Sequence, residues 1–132
     1  MINFLIGLKL SNSTIKSMLE ICPNIKEMSR KEAEQKVFIL KKLNCSKEEI
    51  RNIISSNPNY LDRTNGEILD LIKKLVDSNF KTINILLDSN PYILNLEPFE
   101  IDEYIKKRLE NNETLEDIID DLDSNPYLFS EM

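Results

Sequence analysis

The chain contains no histidine and no tryptophan, only two glycines and two cysteines, and a single alanine, Ala33. Without histidine no side chain titrates near neutrality unaided, so Ser/His/Asp and Cys/His nucleophilic sites and histidine–metal chemistry are excluded. Cys22 and Cys45 form no CxxC pair and cannot by themselves complete an ordinary structural zinc site. They read as packed free thiols of a reducing compartment. Gly7 and Gly66 leave little material for tight hairpins, no run alternates with period two, and no Gly-rich phosphate loop is present. The one apolar N-terminal stretch, Met1 to Leu10, lacks a basic start and a small-residue cleavage site, and is far short of the roughly 20 residues that span a bilayer. The expectation is a cytoplasmic protein without membrane, metal or cofactor.

What is present is a core and a period. A chain of 132 residues, 41% of them hydrophobic, buries enough surface for one domain without staples. The segments Ser56-Asn57-Pro58-Asn59-Tyr60-Leu61, Ser89-Asn90-Pro91-Tyr92-Ile93-Leu94 and Ser124-Asn125-Pro126-Tyr127-Leu128-Phe129 align on proline, with a degenerate copy at Pro23, at spacings of 35, 33 and 35 residues. Ile15, Ile50, Ile83 and Ile118 stand eight positions before each proline, and Leu19, Ile54, Leu87 and Leu122 four before, an apolar i, i+4 pair on one helical face. Twelve before stand Ser11, Ser46, Asn79 and Thr114, side chains suited to capping a helix start, and Ser46 with Glu49 makes a capping box. The proline ring pushes the preceding residue out of the α region, so a short helix from about −11 to −2 must stop there, and Asn tolerates the left-handed conformation expected at that stop.

A longer amphipathic stretch lies between each proline and the next short helix: Ser29 to Leu43, Thr64 to Leu75, and Pro98 to Leu109, with Pro98 in the first turn. Neither helix of such a unit buries its apolar face alone. The predicted fold is therefore all-α, a right- or left-curving α-solenoid of about three helix-turn-helix-proline-turn repeats in a single domain, residues 1–132. It comprises a partial repeat 1–22, repeats 23–57, 58–90 and 91–125, and a C-terminal proline turn 126–132.

A helix opened by Ser or Thr, an Ile, a Leu four later and then Pro-x-[Ile/Leu/Tyr]-Leu every 30-odd residues resembles the mTERF repeat of the mitochondrial transcription termination factor family. The stretch from Leu40 to Leu96 is the most similar, and the motif recurs from Ser11 to Phe129. The resemblance implies antiparallel helix pairs with a short turn at each proline, and nucleic-acid binding on a basic concave surface. The sequence departs from the family in having few repeats and an acidic net charge of −6. The matching positions are architectural, so no contact residue transfers one by one.

Charge is unevenly placed. Residues 23–57 hold eight basic and five acidic side chains, whereas 91–125 hold three basic and eleven acidic. Lys26, Arg30, Lys31, Lys36, Lys41, Lys42, Lys47 and Arg51 are the candidate contacts to a phosphate backbone. Glu110, Glu113, Glu116, Asp117, Asp120 and Asp121 are the candidate contacts to a protein partner, with an exposed apolar groove as a further docking option. A binding module is expected, without catalysis. The NPxY-like Asn57-Pro58-Asn59-Tyr60 belongs to the repeat, and Asp121-x-Asp123-x-Asn125 fails as an EF-hand because Pro126 takes the glycine position. The four tyrosines, Tyr60, Tyr92, Tyr104 and Tyr127, read as core or rim rather than as base-stacking platforms.

Overall fold

The computed structural model describes residues 2–78, 80 and 82–124, without the side chains at 2, 119 and 122–124. Asn79, the side chain of Leu122 and the final turn at Pro126, with Tyr127, Leu128 and Phe129, lie outside what is described. All described regular structure is helical, and no strand occurs among those residues: α1 (Ile2–Gly7), α2 (Asn12–Ile21), α3 (Arg30–Lys42), α4 (Lys47–Ser56), α5 (Asn59–Asp62), α6 (Asn65–Asp77), α7 (Ile83–Ser89), α8 (Pro98–Glu110) and α9 (Leu115–Ser124), with 3₁₀ turns at Pro23–Glu27 and Pro91–Asn95.

Three of the short helices occupy the interval set by the proline register, −11 to −2: α2, α4 and α9. The fourth, α7, starts three residues late, at Ile83, after Thr82, whose side chain makes no capping bond. The long helices α3, α6 and α8 have 13 residues each, so the shortening of the 33-residue spacing falls on the short helix, α7 having 7 residues against 10 in α2, α4 and α9. Phe80, which would have opened α7, instead turns its side chain into the core.

The residues before the prolines correct one expectation. Cys22, Asn57 and Asn90 sit at φ −134°, −136° and −133° with ψ 82°, 72° and 67°, outside the helical region but not left-handed. The pre-proline clash pushes them toward the β region and stops the helix by itself. The left-handed residues lie at the other turn of the repeat, where long gives way to short: Lys9, Asn44 and Asn112, with φ 65°, 67° and 65°. Each is followed by a backbone N–H that reaches back to the preceding helix: Leu10 to Leu5 of α1, Cys45 to Leu40 of α3 (3.1 Å) and Glu113 to Arg108 of α8. Each also precedes by two the capping hydroxyl of the next helix: Ser11, Ser46 and Thr114. Ser46 Oγ accepts from Glu49 N (3.1 Å) while Glu49 Oε1 accepts from Ser46 N (2.8 Å), and Thr114 with Asp117 is built alike. An Asn at the left-handed site with a Ser or Thr cap two residues on spells Asn-x-Ser/Thr, which explains two glycosylation-like triplets mechanically. Because the Ser46 cap serves a helix packed between two others, Ser46→Ala is expected to cost about 1 kcal/mol, read as a lower urea midpoint at unchanged slope.

The chain divides into two compact units, Met1–Asn65 and Gly66–Met132. In the first, α2 packs on α4, α3 on α4 and α5, and the Pro23 turn on α2 and α5. In the second, α9 packs on α7 and α8. Short helix thus stacks on short helix within each unit, as a repeat that cannot bury its own face requires. Ile50, Ile83 and Ile118 are buried, as are the post-proline residues Ile25, Tyr60, Leu61, Ile93 and Leu94. Tyr60 donates its hydroxyl to the Lys36 carbonyl at 2.7 Å, and burial pushes its ionisation far above the ordinary phenol range.

Candidate nucleic-acid interface

The unit boundary is also a charge boundary. Residues 1–65 carry 11 basic and 7 acidic side chains, residues 66–132 carry 6 and 16. In the basic unit, a concavity of about 240 Å³ opens where the turn after α1 meets α3 and α4. Its wall is Gly7, Leu8, Val37 and Ile50, and its rim is Lys9, Lys41, Lys47 and Arg51. Helical spacing assembles it: Val37 and Lys41 are one turn apart on α3, and Lys47 and Arg51 are one turn apart on α4. None of the four cations makes an ion pair or a side-chain hydrogen bond among the described residues, and no carboxylate lines the concavity. Glu49, on the same first turn as Lys47, has its carboxylate turned back to the Ser46 amide.

Lys9 is the rim member that the sequence reading did not single out. It occupies the left-handed position that Asn takes in the two other described copies of this turn. A lysine there carries a steric cost that asparagine largely avoids, an observation consistent with a charge wanted at that point. Lys9→Asn is therefore expected to raise stability by about 1 kcal/mol while lowering the salt dependence of polynucleotide binding by about one phosphate contact. A thermal melt and a binding isotherm on the same variant check both halves.

The eight residues singled out by sequence separate into groups. Lys41, Lys47 and Arg51 line the concavity. Lys42 is exposed on the neighbouring face of α3, its ammonium 5.3 Å from the Phe38 ring centre. Lys26 and Lys31 are exposed but line no part of it, and Arg30 is held by Glu34 at 2.9 Å. Lys36 is only 4% exposed, its ammonium on Asn65 Oδ1 at 2.7 Å, and burial draws its proton affinity below the usual lysine range. It ties α3 to the start of α6 and is withdrawn from the surface.

The acidic residues are also partly engaged. Arg108 binds Glu113 and Asp121 and donates to the Tyr104 hydroxyl at 2.7 Å. That contact holds the Glu113 carboxyl below its ordinary range and raises the guanidinium's. Asp117 serves the Thr114 cap. Glu110, Glu116 and Asp120 are exposed, and Glu110 borders an open groove of about 500 Å³ that includes Ile105, Leu109 and Leu115. No cluster able to hold a metal ion occurs among the described residues, and no described helix is long and apolar enough to cross a membrane.

Capped helix pairs, proline turns and stacked short helices define an all-α helical-repeat protein. The mTERF family model matches residues 1–118, and the chain belongs to that family. Comparison with the curated proteins and with the solved structures finds no match.

Proposed function

We propose that this chain is a non-catalytic nucleic-acid-binding module of the cytoplasm whose contact surface is the basic concavity of residues 1–65. The observation that carries this reading is the convergence of Lys9, Lys41, Lys47 and Arg51 on one recess with no carboxylate on its rim. A cation without a protein counter-charge is free to displace the condensed counterions of a polynucleotide, and membership of the mTERF family points the same way. The experiment is a salt titration of affinity for oligonucleotides. Four phosphate contacts give a slope of log K against log salt of roughly −3, and binding that is flat in salt would contradict the proposal.

A second reading has its own observation, the groove beside Leu109 and Glu110 in the acidic unit, which suits a protein segment carrying basic and apolar residues. That reading expects binding to depend on Glu110 and Leu109 and to be indifferent to Lys41 and Lys47.

A further inference from the structure

Phe38 is 58% exposed on α3, one residue from Val37 in the wall of the basic concavity. Helical spacing sets Lys41 three and Lys42 four positions further on, beside the ring, and the Lys42 ammonium lies 5.3 Å from its centre. The acidic residue one turn earlier, Glu34, has its carboxylate on Arg30. An exposed aromatic face bordered by cations, next to a recess rimmed with further unpaired cations, joins the two elements from which unpaired strands are bound: a stacking surface for a base and positive charge for the backbone.

A duplex uses only half of this. Its phosphates can meet Lys9, Lys41, Lys47 and Arg51, but its bases are stacked on one another and offer no free face to Phe38. From this juxtaposition we infer that the site prefers a single-stranded polynucleotide to a duplex, with one base stacked on the open face of Phe38 and the adjoining phosphates on the rim of the recess. The inference rests on the proposed function and specifies its ligand. Ribose and deoxyribose strands share the base and phosphate chemistry that is used.

The test exploits the absence of tryptophan from the chain. The F38W variant carries a sole indole at the stacking position, and the exposure of Phe38 leaves folding unaffected. Its fluorescence is followed while oligo(U), oligo(dT) and a matched duplex are added in turn, with affinities of wild type and F38A measured alongside. The expected result is strong quenching by the single strands, little by the duplex, and a loss of roughly tenfold or more in single-strand affinity for F38A with duplex affinity unchanged. The oligo(U) and oligo(dT) arms identify which sugar the site accepts, and quenching by either supports the inference. Salt-dependent binding of both strand types with no quenching, or F38A binding single strands like wild type, overturns the preference and leaves the proposed function standing. Failure of wild type to bind either strand type overturns both.

Discussion

Reversing Lys41, Lys47 and Arg51 together to Glu is expected to weaken polynucleotide binding by about two orders of magnitude or more, and to flatten the salt dependence by about 2 to 3 units of slope. Both parts follow from the same geometry. Each reversal removes one displaced counterion, and each sets a like charge against a phosphate on the rim of a recess whose opposite wall is apolar. Because these side chains carry no ion pair among the described residues, the substitutions break no contact on which the fold depends, and the melting temperature should stay close to wild type. Reversal of the exposed Lys16, Lys26 and Lys31 of the same unit, which makes the same change in net charge at residues that do not line the recess, should leave affinity within about twofold. An equal loss in that control would reduce the effect to overall charge and remove the reason for assigning a site.

Tyr60→Ala is the second large effect, and it acts on the fold. The side chain is fully buried two residues after Pro58, and its hydroxyl satisfies the carbonyl of Lys36 across the packing of α5 on α3. Truncation empties a ring-sized volume and costs about 3 to 5 kcal/mol, a large fraction of the stability of a domain this size. Tyr60→Phe keeps the volume and loses only the hydrogen bond, at about 1 kcal/mol. Urea unfolding of the two variants separates packing from hydrogen bonding. If both cost the same, Tyr60 holds its turn by the hydroxyl alone and the stacking of proline turns contributes little.

Much of this architecture was legible because its stops and starts are local. The pre-proline clash and the hydroxyl caps act over four residues, so α2, α4 and α9 could be delimited from the sequence. The start of α7 could not, because the burial of Phe80 is a tertiary event that overrides the register. Which cations face solvent was legible in part. Ala33, Lys36, Val37 and Leu40 follow the i, i+3, i+4, i+7 spacing of a core stripe, so the burial of Lys36 was written in the helical wheel, as was the exposure of Phe38 off that stripe. Charge counting along the chain treated Lys36 as equivalent to its neighbours and passed over Lys9. Lysine is not a residue type that signals a left-handed position, as asparagine does at Asn44 and Asn112, so the conformation of Lys9 shows only in its backbone. The recess itself joins residues more than 40 positions apart, and no local signal brings the turn after α1 against α4.

The claim on which the account turns is that the basic rim, and not the acidic unit, meets the polynucleotide. Backbone amide shifts recorded while a short single strand is added test it directly. The expected result is a set of salt-sensitive shifts concentrated at Gly7 to Lys9, Val37 to Lys42 and Lys47 to Arg51, with α8 and α9 silent. Shifts centred on α8 and α9, or spread evenly over both units, would contradict it.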